Sequence, residues 1–109
     1  MSLAFEVGSR GDTAVIHLTG RIDRDAGTVL EQAYTAAIAT KPTAVELDFA
    51  DVEYINSTGI ALIVSLLARA RAQTLPIRAA GLTPHYLHIF EITRLSDFIE
   101  LVQPSGAAR

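Results

Sequence analysis

The residues best suited by type and spacing to carry a chemical function are Asn56, Ser57 and Thr58. They lie just before a long apolar run. Asn is a preferred N-cap residue, and with Asn56 in that position Ile55 and Ile60 take the spacing of a hydrophobic staple. Ser57 is then the first residue of the helix, so its hydroxyl is not used in capping and lies beside free backbone N–H groups. A phosphate on Ser57 would be electrostatically well placed there and would add about −1.5 to −2 charge.

The same cluster also has a simpler explanation. Asn, Ser and Thr collect before helices because they cap them, and spacing alone favours plain capping over a regulated phosphorylation site. In the run Ile60–Ala68 that follows, Ser65 is the only polar residue. A helix with so little polar surface needs a cover, either neighbouring helices or a partner protein beside Ser57.

Catalytic chemistry finds weaker support in the sequence. His85, His88 and Glu91 are three residues apart in turn, but two histidines at that spacing are commonly surface residues and no further ligand cluster accompanies them. His17 is predicted to lie on the surface of a sheet. Ser57 lacks a Gly-x-Ser-x-Gly elbow, and the isolated glycines form no phosphate-cradling loop. We therefore predict a binding protein, not an enzyme, with no catalytic, cofactor-binding or metal-binding residues.

Composition narrows the classes of partner. The chain has 109 residues, of which 50% are hydrophobic, and this suits one domain with one core. Its net charge is −3 without a basic cluster, which argues against nucleic acid and against membrane insertion. There is no cysteine, which leaves the redox compartment open. No secretory signal is readable, so a cytoplasmic location is expected. The oligomeric state is not indicated.

Hydrophobic periodicity predicts the element order strand, strand, helix, strand, helix, strand, helix, and therefore an α/β domain with helices on one face of the sheet. The domain is predicted to cover residues 1–102, with residues 103–109 as a flexible tail. A break is expected at Gly20, and a short acidic loop is expected between Phe49 and Asn56. The other predicted features are strands at Leu3–Val7, Ala14–Leu18, Val45–Phe49 and Ile77–Ala80, a helix beginning at Asp23 or Asp25, a helix from about Asn56 to about Gln73, a helix capped by Thr83, and either a strand or a helical turn at Phe98–Val102.

A resemblance to a known family rests on these same segments. Val52–Ile60, after the strand end Leu47–Phe49, resembles the central motif of STAS domains, and within them of bacterial anti-sigma factor antagonists. Leu18–Asp23 resembles the strand and turn before the family's first helix, and Leu87–Leu95 resembles its third helix. The resemblance extends from about Leu3 to Val102. It implies a single-domain STAS-like fold with a four- or five-stranded mixed sheet and helices on one face.

The resemblance also implies a switch. In such proteins the serine at the position of Ser57 is phosphorylated by an anti-sigma factor that is also a serine kinase of the histidine-kinase ATPase type. The unphosphorylated form binds that anti-sigma factor and frees the sigma factor, and a metal-dependent serine phosphatase resets the cycle. The partner-binding residues carried over from the family are Ser57 itself with Asp23, Asn56, Thr58, Gly59 and Ile60.

One position departs from the family pattern, because Asn56 stands where an aspartate usually precedes the acceptor serine. Asn caps a helix as well as Asp does, and the neutral amide removes a like charge beside a phosphoserine. A kinase that uses the carboxylate would lose that contact. The alternative reading is therefore a STAS adaptor subunit of a lipid or anion transport assembly that binds without being phosphorylated.

Overall fold

The structure is a computed structural model that describes residues 2–102, so the predicted tail lies outside the described residues. Five strands, three α-helices and two 3₁₀ turns follow one another along this part of the chain. In chain order they are β1 (Ala4–Arg10), β2 (Thr13–Ile22), a 3₁₀ turn (Arg24–Ala26), α1 (Gly27–Ile38), β3 (Ala44–Ile55), α2 (Ser57–Ala72), β4 (Ile77–Ala80), α3 (Pro84–Ile92), a second 3₁₀ turn (Leu95–Asp97) and β5 (Glu100–Val102).

The strands form one mixed sheet in the order β1-β2-β3-β4-β5. β1 is antiparallel to β2, and the other neighbouring pairs are parallel. Alternate residues of β3 enter the core, where Phe49 meets Phe90 of α3 edge-on at 5.9 Å between ring centroids. Tyr34 of α1 and Ile63 of α2 are fully buried in the same core. The predicted α/β fold with helices on one face of a mixed sheet is thereby confirmed.

Both central strands run further than the alternation of side chains predicts, to Ile22 and to Ile55. The expected break at Gly20 and the expected acidic loop before Asn56 are wrong, because two irregularities in the β2–β3 register let the pairing continue past both. Gly20 has a φ of +110°, which glycine adopts without strain. A β-bulge interrupts the two-residue alternation of buried and exposed side chains. The sequence pattern therefore stops indicating a strand at that point.

The predicted capping residues cap the first 3₁₀ turn and α3. The predicted start of the first helix at Asp23 or Asp25 is wrong, because a 3₁₀ turn comes first and α1 begins at Gly27. Asp23 caps the first 3₁₀ turn by accepting a hydrogen bond from the backbone N–H of Asp25 at 3.0 Å. Thr83 caps α3 by accepting from the backbone N–H of Tyr86 at 3.3 Å. The undecided segment at the end of the domain contains the strand β5, and Phe98 closes the 3₁₀ turn before it.

Neighbouring elements cover most of the apolar surface of α2. Ile63 and Leu66 are buried in the core. α1 lies so close that a Cβ added at Gly27 would be 3.4 Å from Leu62. Val64 remains 46% exposed. Of the two covers expected for this apolar surface, neighbouring elements of the same domain therefore supply the larger part.

The face of the sheet opposite the helices carries charged side chains. His17 lies there as predicted, with Nδ1 at 2.9 Å from Asp48 Oδ2 and Nε2 at 2.7 Å from Asp51 Oδ2. The hydrogen bond to Asp48, followed by the one to Asp51, raises the pKa of His17 above its ordinary value of 6.5. The imidazolium ties β2 to β3 across the first register irregularity, since His17 pairs with Asp48 and the next paired residues are Thr19 and Asp51.

This arrangement predicts a pH-dependent stability. Because the folded pKa of His17 is raised, its stabilisation is complete below about pH 6.5 and is lost as the pH rises through the folded value. We expect the melting temperature of the native protein to fall relative to that of His17→Gln as the pH rises above about 6.5. His88→Gln, at an exposed position on α3, is the matched control. If the melting temperatures of the native protein and of His17→Gln change in parallel with pH, the stabilising role of the His17 hydrogen bonds is contradicted.

Candidate functional site

Asn56 begins α2 as the sequence predicts. Its backbone is extended, with φ −98° and ψ −177°, and its side-chain oxygen accepts a hydrogen bond from the backbone N–H of Gly59 at 2.8 Å. The backbone N–H of Ile60 donates to the carbonyl of Asn56 at 2.9 Å. Ser57 is consequently the first residue of the helix, and the predicted register is confirmed.

Ser57 and Thr58 are both exposed on the first turn of α2. Within residues 2–102, neither hydroxyl forms a hydrogen bond. That turn contains no acidic residue, and its free N–H groups are the positive end of the helix dipole. The hydroxyl of Ser57 is thus accessible, unoccupied and in a setting that tolerates added negative charge.

Gly59 and Ile60 serve the packing of the site. Gly59 is buried against β2, where an added Cβ would lie 1.9 Å from the carbonyl oxygen of Ile22. The same carbonyl accepts a hydrogen bond from the backbone N–H of Asn56 at 3.2 Å. Ile60 is half-buried and packs against the core. Of the residues carried over as partner contacts, Gly59 therefore offers no side chain to a partner and instead sets how closely α2 approaches β2.

Asp23 is brought to the same end of the sheet, because it directly follows Ile22 at the end of β2. The structure adds two neighbours that the sequence did not single out. The guanidinium of Arg21 lies 4.4 Å from the ring centroid of Tyr54, and its Nε lies 3.9 Å from Asp23 Oδ2. Tyr54 is 39% exposed. An aromatic ring with arginine stacked on it is a common component of protein-binding surfaces.

The cap can be tested by itself. Asn56→Ala should lower the free energy of unfolding by about 1 kcal/mol, because the N–H of Gly59 loses its acceptor. Asn56→Asp should leave stability within about 0.5 kcal/mol of the native value, because a carboxylate caps equally well. Urea unfolding followed by circular dichroism measures both variants. Equal midpoints for Asn56→Ala and the native protein would show that the cap has no role in stability.

The part of the chain that is described contains neither a metal-ligand group nor a membrane-spanning helix. Residues 2–102 contain no group of three or more His, Asp or Glu side chains that could hold a metal ion, so His85, His88 and Glu91 do not form such a group. Among the helices of the same residues, none is long and apolar enough to cross a membrane.

Comparison with known proteins agrees with this fold. Residues 5–103 match a protein family described as "Mlab, STAS domain". The anti-sigma-B factor antagonist of Listeria monocytogenes is 27% identical over 107 residues, covering 97% of this chain and 94% of that protein.

Solved structures share the fold at lower identity. A crystal structure of an anti-sigma factor antagonist from Mycobacterium paratuberculosis has a TM-score of 0.76 and 22% identity, covering 96% of this chain and 89% of its own. The Bacillus cell-fate determinant SpoIIAA in its phosphorylated form has a TM-score of 0.68 and 19% identity, covering 94% of this chain and 92% of its own. The match over residues 5–103 shows that this protein belongs to the STAS domain family.

Proposed function

We propose that this protein is an anti-sigma factor antagonist that acts by partner switching under the control of phosphorylation at Ser57. The observation that carries the proposal is the exposed hydroxyl of Ser57 at the first position of α2, in a chain similar along nearly its whole length to a protein named anti-sigma-B factor antagonist. The proposed partner is an anti-sigma factor that is also a serine kinase, and the proposed site of action is the cytoplasm.

The chemistry of the cycle uses only one group of this chain. The oxygen of the Ser57 hydroxyl attacks the γ-phosphorus of ATP bound to the kinase, the bond from that phosphorus to the β–γ bridging oxygen breaks, and ADP leaves. The hydroxyl proton passes to a base on the kinase. A metal-dependent serine phosphatase later hydrolyses the phosphoserine, with water supplying the oxygen of the released phosphate.

The electrostatics of the site explain why phosphate would release the partner without unfolding the domain. The free N–H groups of the first turn of α2 favour an anion, so the fold tolerates the added charge. A partner surface that fits a neutral hydroxyl instead meets about two new negative charges and must desolvate them. In support, SpoIIAA has the same fold in a structure of its phosphorylated form.

The contact surface is proposed to consist of the exposed Ser57 and Thr58 with Asp23 and Asn56 beside them, and Ile60 at its edge. Gly59 would contribute by letting α2 sit against the carbonyl of Ile22. The neutral cap at Asn56 would leave Ser57 without a carboxylate neighbour on its amino-terminal side, which eases the approach of a phosphoryl group.

Affinity capture from the cells that produce the protein tests the proposal. The baits are the native chain, Ser57→Ala and Ser57→Asp. We expect the first two to retain a protein with a histidine-kinase-type ATPase domain and the third to release it. Adding ATP to the purified complex should then raise the mass of the native chain, but not of Ser57→Ala, by one phosphoryl group. Retention of a transporter ATPase by all three baits would instead support the adaptor alternative.

A further inference from the structure

β3 extends well beyond its neighbour β4. The pairing of the two strands ends at Asp48 and Ala80, yet β3 continues to Ile55. Over residues 49–55, the side of β3 that faces away from β2 therefore has no strand beside it. Backbone N–H groups on that side need other acceptors if they are to be buried.

Tyr86 supplies such an acceptor at the last residue of the strand. The backbone N–H of Ile55 donates to the hydroxyl oxygen of Tyr86 at 3.0 Å. Ile55 is only 6% exposed. The tyrosine is itself held in place, because its backbone N–H donates to the cap residue Thr83 and its ring meets that of His85 edge-on at 5.0 Å.

The segment that leads into Ser57 is thus fastened from two sides. On the β2 side, the N–H of Asn56 donates to Ile22 at 3.2 Å. On the α3 side, the N–H of Ile55 donates to Tyr86. Two consecutive backbone N–H groups immediately before Ser57 are therefore bonded to different elements. The position of Ser57 consequently depends on both β2 and α3.

We propose that Tyr86 is a positioning residue for Ser57. The hydroxyl of Tyr86 holds the backbone before Ser57 in the orientation that the kinase requires. The proposal rests on the function proposed above. Phosphoryl transfer needs the attacking oxygen within about 3–3.5 Å of phosphorus and in line, and a misplacement of about 1 Å lowers the rate up to about 100-fold. Loss of the Tyr86 hydroxyl removes one of the two hydrogen bonds that hold the backbone before Ser57. It leaves the overall partner surface in place.

The test compares two tyrosine-to-phenylalanine variants that each remove one hydroxyl and one hydrogen bond. Tyr86→Phe removes the bond to Ile55. The matched control, Tyr34→Phe, removes the bond from the Tyr34 hydroxyl to the side chain of Gln73, beyond the opposite end of α2 from Ser57. The kinase is the ATPase-domain protein retained by the capture experiment, assayed with ATP at a temperature where circular dichroism shows both variants folded.

We expect Tyr86→Phe to lower kcat for phosphorylation of Ser57 about tenfold with KM changed less than about twofold, and Tyr34→Phe to keep both constants at the native values. A loss of stability alone would move neither constant below the melting temperature. If the native protein is phosphorylated and both variants have the same kcat, the positioning role is wrong while the proposed function stands.

Amide hydrogen exchange in the free protein provides a readout that needs no kinase. Tyr86→Phe should speed exchange at Ile55 and at the residues of the first turn of α2, whereas Tyr34→Phe should not. If the native protein is not phosphorylated at all, the proposed function fails. Exchange then still decides whether Tyr86 fixes this segment, since equal rates in the two variants would overturn that role.

Discussion

Ser57→Asp should bind the anti-sigma factor about 100-fold more weakly than the native protein, whereas Ser57→Ala should bind with the native affinity. The aspartate brings a charge into a contact that fits a neutral hydroxyl, and like-charge or desolvation effects of this kind cost several kcal/mol. A 100-fold change corresponds to about 2.7 kcal/mol. An acidic residue at the first position of a helix stabilises the fold slightly, so unfolding cannot account for the loss of affinity.

Ser65→Asp is the matched control for this comparison. Ser65 is exposed on the same helix, eight residues beyond Ser57. That spacing places it about 12 Å along the axis, further than the screening length of about 8 Å at physiological salt. Titration calorimetry with the purified anti-sigma factor should show near-native affinity for Ser65→Asp. Equal affinities of Ser57→Asp and Ser57→Ala would rule out the switch.

Gly59→Ala should lower the free energy of unfolding by about 3 kcal/mol, or the melting temperature by about 12 °C. The added Cβ would lie 1.9 Å from the carbonyl oxygen and 2.7 Å from the carbonyl carbon of Ile22. Both are backbone atoms that no rotamer change can move. Shifting them also strains the hydrogen bond from Asn56 to the same carbonyl. Helix propensity alone predicts the opposite sign, since Ala favours a helix over Gly by about 1 kcal/mol.

Gly8→Ala is the control for the glycine effect. Gly8 lies in β1, where an added Cβ would meet no atom within 4 Å. We expect its stability to remain within about 0.5 kcal/mol of the native value. Differential scanning calorimetry of the three proteins separates the effects. A native or higher melting temperature for Gly59→Ala would show that α2 can move away from β2 without cost.

The features that depend on local chemistry were predictable from the sequence. The N-cap at Asn56 and the start of α3 after Thr83 are confirmed, because a capping side chain bonds to a backbone group only three residues away. The placement of the helices on one face of the sheet is confirmed as well, because Val45, Leu47 and Phe49 alternate with polar residues and are buried. The mixed sheet was implied by the resemblance to STAS domains and is also confirmed.

The features that the sequence did not reveal depend on pairs of residues far apart in the chain. The acidic segment before Asn56 belongs to β3, but the sequence pattern does not indicate a strand there. The bulged pairing of β2 with β3 interrupts the alternation of buried and exposed side chains. Tyr86 and Ile55 are 31 residues apart, and His17 is 31 residues from Asp48. Only the packing of α3 and the register of β3 bring these groups together.

The most direct measurement of the central claim is intact-protein mass spectrometry with site mapping on protein isolated from its native cells, before and after phosphatase treatment. We predict a species heavier by one phosphoryl group, with the phosphate on Ser57 and removed by the phosphatase. If Ser57 is unmodified across growth conditions, or if the phosphate lies on another residue, control by phosphorylation of Ser57 is contradicted.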